Sequence, residues 1–310
     1  MSTRREFLGS LGAGALLAAA PARAETTAAA TVAPRSPAEV RALFEFPESR
    51  VPMNAANLCP SPRTVAEAVT RWTRTIDLDC SFQNRARFGE LLETSRAAVA
   101  AQLGVPADEV ALVRNTSEAN NVVNAGLELG PGDEVVLWDQ NHPTNAVAWD
   151  VRAARHGFRV VRVSVPVEPA DADALLAPFL AALTPRTRVI SVTHVSNVSG
   201  IKLPIHRLGE ALRGRGVHFH VDGAQSWGAV AMDLPSVGCH SFSGSAHKWF
   251  MGPKEVGLLW ARSDAIERIW PSVVAPGWGD DADPDPVGAR KFESLGQRDD
   301  AALAALAEAA

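Results

Sequence analysis

The chain has 310 residues, 46% of them hydrophobic, which suits one or two globular domains with a real core. A formal net charge of −5 argues against a nucleic-acid surface. After the first 30 residues no apolar run of about 18 occurs, so no membrane span is expected in that part.

The first 24 residues read as a leader and not as fold. Ser2-Thr3-Arg4-Arg5-Glu6-Phe7-Leu8 is a twin-arginine pattern, an apolar stretch covers 11–20, and Ala22-Arg23-Ala24 offers an A-x-A cleavage site. A short amphipathic helix is the alternative. Gly9, Gly12 and Gly14 follow no strand and spell no dinucleotide fingerprint. Residues 25–60 form a lead-in, flexible over its Ala/Thr/Pro-rich start. Helices are predicted over 62–76, with Pro62 near the first turn, and over 88–103, ended by Gly104 and Pro106. A strand over 110–113 runs into Arg114-Asn115-Thr116-Ser117-Glu118. There Thr116 or Ser117 can cap a helix, and a capped helix start is also a ready anion site; both readings stand. Further strands are predicted over 134–138, 158–163 and 187–192, with a helix over 172–183 between the last two. Strand and helix alternate in this way, the signature of a parallel sheet with helices on its faces.

The most informative stretch is 217–260. A strand over 217–221 ends in Asp222-Gly223-Ala224-Gln225. Open α/β sheets bind ligands outside the carboxyl ends of their strands, so this carboxylate is well placed for one. A second strand near 239–243 runs into Ser245-Ala246-His247-Lys248-Trp249, Gly252-Pro253 makes a turn, and another strand covers 256–260. An Asp on one strand end and a Lys on the next suit pyridoxal 5'-phosphate (PLP). That cofactor needs an amine for a Schiff base and an acidic partner for its pyridinium nitrogen. The chain holds only four lysines, Lys202, Lys248, Lys254 and Lys291, among 30 basic residues. Arginine carries surface charge elsewhere but forms no Schiff base, so Lys248 stands out.

Asp222-Gly223-Ala224-Gln225, followed by Ser245-Ala246-His247-Lys248 and Gly252-Pro253, resembles the class V aminotransferase family of PLP enzymes. That family includes cysteine desulfurases, isopenicillin N epimerase-like proteins and kynureninase. The resemblance runs from about Asn54 to Arg298, and Met53 to Asn57 is similar to the family's substrate-side segment. It implies a fold-type I PLP-dependent transferase fold, an α/β domain around a mostly parallel sheet over 61–275. It also implies the stub of a small C-terminal domain over 276–310. Lys248 is expected to carry PLP and Asp222 to pair with the ring nitrogen. His142 is expected to stack on the ring, a loop histidine being the alternative. Asn197 is expected to bond the 3′-oxygen, an Asx turn before Gly200 being the alternative. Thr116 and Ser117 are expected at the phosphate, with Gln225, Ser245 and His247 completing the cofactor shell. No metal is expected: Cys59, Cys80 and Cys239 match no zinc spacing, and nothing in their spacing demands a disulfide.

The activity implied is at the α-carbon of an amino acid, of aminotransferase or epimerase type. Desulfurase or lyase chemistry and a PLP-binding protein with little activity are the rivals. Family members continue into a domain that carries a substrate-binding arginine and, in desulfurases, a nucleophilic cysteine; neither is found in this sequence. Phe292 to Asp299 is similar to the segment that reaches a neighbouring subunit, so a homodimer is expected with Gly296 and Gln297 near the partner's site. The twin-arginine route exports folded proteins, which suits cofactor loading before delivery to the periplasm.

Overall fold

A computed structural model describes residues 36–275, 278 and 287–310. The predicted leader lies outside the described residues, as does most of 276–286. The chain divides into two units, 1–40 and 41–310. Of the first, 36–40 are described; there α1 (Pro37–Arg41) begins, and the Ser36 hydroxyl accepts the Glu39 N–H at 3.3 Å.

The second unit opens with α2 (Arg63–Leu78), for which Pro62 is the N-cap. The next helix, α3 (Phe82–Leu103), starts six residues before its predicted position. Ser81 caps it, accepting from the Asn84 N–H at 3.2 Å. Of residues 82–87 all but Asn84 are exposed, so apolar periodicity does not mark this start. The helix stops at Gly104, which takes the left-handed conformation at φ +70°.

Strand and helix then alternate: β1 (Val110–Val113), α4 (Thr116–Gly126), β2 (Glu134–Trp138), α5 (Pro143–His156), β3 (Arg159–Val163), α6 (Ala172–Ala182), β4 (Thr187–Thr193), α7 (Ile205–Leu212), β5 (His218–Asp222), α8 (Leu234–Val237), β6 (Ser241–Ser245), β7 (Gly257–Ala261), α9 (Ser263–Arg268) and α10 (Asp300–Ala305). The seven strands form one sheet in the order β1-β7-β6-β5-β4-β2-β3. Strands β2 to β6 run parallel, and β7 is antiparallel to both its neighbours. The expected mostly parallel, helix-covered sheet is therefore present.

Both faces of the sheet are buried. Val136, Trp138, Ile190, Phe219, Phe242 and Leu258 pack with α3, α6 and α7 on one side. Val135, Leu137, Val189 and Leu259 pack with α4, α5 and α9 on the other. Period-two alternation puts Phe219 and Val221 of β5 on the first side, leaving His218, His220 and Asp222 for the α4 side. In β6, Phe242 is on the first side, and Ser241, Ser243 and Ser245 take the α4 side. A polar seam thus runs under α4 toward the carboxyl ends of β5 and β6. The last helix, α10, is buried with Leu306 against the first layer, and Ser95 donates to the Ala304 carbonyl at 3.2 Å.

Candidate active site

Lys248 lies three residues past the end of β6, in a loop closed by backbone bonds. Ala246 N–H donates to the Val256 carbonyl at 2.8 Å, and Gly252 N–H donates to the Ala246 carbonyl at 2.7 Å. Met251 and Glu255 take left-handed φ values of 59° and 53°, a conformation that non-glycine residues rarely adopt. A loop that keeps two such residues is held in one shape by its surroundings. Among the described residues no hydrogen bond or ion pair engages the Lys248 amine. Burial lowers its pKa from the ordinary lysine value, and the negative charge of Asp222 opposes that shift. The two residues singled out in the sequence therefore face one another electrostatically.

Asp222 ends β5 and is buried. Its Oδ2 accepts from Asn120 Nδ2 at 2.8 Å, and its Oδ1 accepts from the Ala224 N–H at 3.0 Å. Gly223 follows because nothing larger fits: a Cβ there would lie 2.0 Å from the Phe242 ring. No arginine or lysine hydrogen-bonds the carboxylate among the described residues. A buried anion held by neutral donors leaves its charge available to a cationic ligand.

Thr116 opens α4 beside Ser245. Its N–H donates to Ser245 Oγ at 2.9 Å, and the two hydroxyls bond at 2.8 Å. Neither Thr116 nor Ser117 is the helix cap. Asn115 takes that role, its Oδ1 accepting from the Glu118 N–H at 3.0 Å. The Ser117 N–H has no acceptor among the described residues, so the first turn of an 11-residue helix keeps a donor free beside two hydroxyls. Gly257 lets the turn sit this close, since a Cβ there would lie 2.8 Å from the Asn115 Cα.

His142 caps α5: the Thr144 N–H donates to its Nδ1 at 3.3 Å, and the Thr144 hydroxyl lies 2.9 Å from the same nitrogen. The Ser117 hydroxyl donates to Thr144 at 3.2 Å, which ties His142 to the α4 turn. Gln225 is fixed at both ends, donating to the Ala56 carbonyl at 2.9 Å and accepting from Trp249 Nε1 at 2.8 Å. The carbonyl of His247 accepts from the Cys59 N–H at 2.8 Å. Burial lowers the His247 pKa first, and the nearby charges of Lys248 and Lys254 add to the effect. These contacts strap residues 56–59 to the lysine loop, and Ser61 adds a bond to the Gly252 carbonyl at 2.9 Å. Asn197 is exposed, and no bond draws it to the other residues. It makes no Asx turn either, for the Ser196 hydroxyl accepts the Val198 and Ser199 N–H groups, at 3.0 and 3.2 Å.

Two residues escaped the sequence reading. Asn120 bonds the key carboxylate from one turn into α4. His194 follows β4, buried, with Nδ1 unpartnered among the described residues and a pKa pushed down to about 4, chiefly by burial. The signal for Asn120 was present: with Thr116 it forms an i, i+4 polar pair on a helix face that meets the sheet. All three cysteines are free thiols.

A seven-stranded sheet of this topology, with a lysine loop after one central strand and a buried carboxylate ending the next, defines a fold-type I protein. The aminotransferase class-V family model matches residues 77–288, more than half of the chain, and the chain belongs to that family. It is similar to isopenicillin N epimerase from Amycolatopsis lactamdurans, at 35% identity over 74% of this chain and 58% of that one. It is 30% identical to isopenicillin N epimerase from Streptomyces clavuligerus over 84% of this chain and 68% of that one. A probable cysteine desulfurase from Methanothermobacter thermautotrophicus is 28% identical over 77% of this chain and 60% of that one. The chain thus spans about 60 to 70% of the length of these relatives. Among solved structures, a variant of C-DES with glycine covalently linked to its PLP cofactor superposes with a TM-score of 0.78 at 26% identity, covering 87% of this chain and 72% of that one. The cystine C–S lyase C-DES in complex with cysteine persulfide gives 0.75 at 26% identity, covering 83% and 70%.

Proposed function

We propose that the chain is a PLP-dependent enzyme acting at the α-carbon of an amino acid, of aminotransferase or epimerase type. The observation that carries this is the half-buried Lys248 amine facing a buried Asp222, the amine with no partner and the carboxylate with no hydrogen-bonded cation among the described residues. The residues fit the cofactor: an amine, an anion for a ring nitrogen, and at Thr116, Ser117 and Ser245 an anion corner built from a helix start and three hydroxyls. When bound, PLP supplies an electron sink for a bond broken at the substrate α-carbon. Asp222 would offer its charge and a hydrogen-bond acceptor to the ring nitrogen. Lys248 would hold the cofactor and serve as the base for the proton at the α-carbon; burial lowers its pKa toward the range that base catalysis needs. His142, tied to the α4 turn through Thr144 and Ser117, is the candidate contact for the ring, and Asn197 would have to turn in from its exposed position to reach the ring's oxygen. The large domain over 61–275 supplies all of these groups.

Borohydride reduction of the PLP-loaded chain followed by peptide mapping tests the reading. The label is expected on Lys248, and a label on Lys202 or Lys254 in its place overturns it. An amino-acid panel separates the reaction types. Racemisation or amino transfer supports the reading above. Release of sulfide from cysteine or cystine would favour the lyase chemistry named for the C-DES neighbour. The remaining assignments are export by the twin-arginine route to the periplasm and a homodimer with Gly296 and Gln297 at the partner's site. Changing Arg4 and Arg5 to lysine is expected to strand the protein in the cytoplasm, and unchanged export counts against the assignment.

A further inference from the structure

The polar seam beneath α4 extends well past Asp222. Asn120 Oδ1 is met by the Ser243 hydroxyl at 2.7 Å and by His220 Nε2 at 2.9 Å. His220 Nδ1 lies 2.8 Å from Ser241 Oγ, and His218 Nε2 lies 2.9 Å from the same oxygen. Asn120, His218, His220, Ser241 and Ser243 are all buried.

The proton positions follow from the end of the chain. An ionised carboxylate only accepts, so Asn120 must turn its NH2 group toward Asp222 and its oxygen toward His220. His220 then donates from Nε2. Burial pushes its pKa down to about 3, so the ring is neutral and its Nδ1 is a bare acceptor. The Ser241 hydroxyl therefore gives its proton to His220 and accepts one from His218 Nε2. His218, also kept neutral by burial, is left with an unprotonated Nδ1, and that atom has no hydrogen-bond partner among the described residues. Every proton in the series points the same way.

We propose that His218, Ser241, His220 and Asn120 form a one-way chain of hydrogen-bond donors that holds Asp222 as an oriented anion. They are positioning residues, and their function rests on the reading of Asp222 as partner of the cofactor's ring nitrogen. Aligned donors polarise one another, so a chain ending on a carboxylate stabilises its charge more than a single amide does. It does so without a cation that would compete for that charge. An arginine at Asn120 would neutralise Asp222 and weaken its hold on a pyridinium.

Two measurements test the chain. The first is 15N NMR of the histidine-labelled full-length chain, without and with PLP. Both His218 and His220 are expected as neutral Nε2–H tautomers even without cofactor; Nδ1–H or imidazolium at His220 overturns the proposal. The second compares His220→Phe with His220→Gln, whose amide can still reach Asn120. With 15N-labelled PLP, His220→Phe is expected to move the ring-nitrogen resonance toward the unprotonated form and to weaken PLP binding about tenfold. His220→Gln is expected to recover most of both. A folded His220→Phe with the parent's ring-nitrogen resonance overturns the proposal. If that variant does not fold, Asn120→Ala takes its place, since alanine suits a helix interior. If the parent takes up no PLP, the proposed function fails, while the tautomer measurement on the unloaded chain still decides the donor chain.

Discussion

Glu293 and Asp222 both hold their carboxylates against the sheet, one beside β1 and one at the end of β5, and their partners differ in kind. Glu293 accepts from Arg96 at 2.5 Å, from Arg298 at 3.3 Å and from the Leu112 N–H at 2.6 Å. Arg96 is itself buried, and it also bonds the Val110 carbonyl at 2.7 Å and Glu93 at 3.0 Å. Around Glu293 opposite charges are paired and the donors are used. Asp222 has an amide and a backbone N–H, with a lysine charge facing it from a loop. The first cluster ties β1, α3 and the segment after 287 together. The second holds its anion with neutral donors and pairs it with no hydrogen-bonded cation among the described residues. A buried charge without a paired cation costs stability in the free protein.

The largest effect that separates the two clusters is expected at Arg96. Arg96→Met leaves Glu293 with one guanidinium, Arg298, in place of two, at a cost of about 3–5 kcal/mol in urea denaturation. A loss under about 1 kcal/mol would mean that Arg298 alone satisfies the carboxylate. Asp222→Asn should behave in the opposite sense. The unloaded chain is expected to keep or gain stability, since a buried charge that no hydrogen-bonded cation offsets is removed. Its PLP dissociation constant should rise about a hundredfold in equilibrium dialysis, the loss of one charge-assisted contact. An unchanged constant would remove Asp222 from the cofactor site.

Smaller effects sharpen the contrast. Ser61→Ala deletes the bond to Gly252 and the 2.7 Å contact with Lys254 that fasten the segment around residues 56–59 to the lysine loop. About 1 kcal/mol of stability should go, and proteolysis near residues 53–59 should quicken. A parent-like cleavage rate would show that Gln225 and Cys59 hold the strap unaided. The smallest effect lies in acid. Hydrogen bonding to Arg290, with a further bond to Arg96, lowers the Glu93 pKa to about 2 from the ordinary glutamate value of 4.5. The folded pKa lies below the unfolded one, so this stabilisation is complete above about pH 4.5 and fades as pH falls toward 2. Melting temperatures should fall more steeply across that window in the parent than in Glu93→Gln; parallel slopes would assign the acid loss to other carboxylates.

Much of this was legible in the residues. Val110 to Val113 and Glu134 to Trp138 read as strands because continuous apolar runs between turn signals leave little else, and the structure places both at those bounds. Lys248 and Asp222 stood out because a rare lysine and a strand-end acid have few other uses. The start of α3 carries no apolar period because its side chains up to 87 are exposed except Asn84, which is polar. Asn115 was passed over as the cap of α4 because three residues in a row there can cap a helix, and only the backbone geometry selects one.

The sequence by itself determined the order of elements, the class of sheet and the pair of residues that chemistry requires, since each depends on local pattern or on a residue's own reactivity. The tertiary structure alone decided how Asp222 is held. His218, His220, Ser241 and Ser243 lie on neighbouring strands, and Asn120 reaches them from a helix 100 residues away in sequence from His220. Hydrogen-bond partners across such separations are set by strand register and by the seat of α4 on the sheet. No local signal encodes either, because both depend on how whole layers pack.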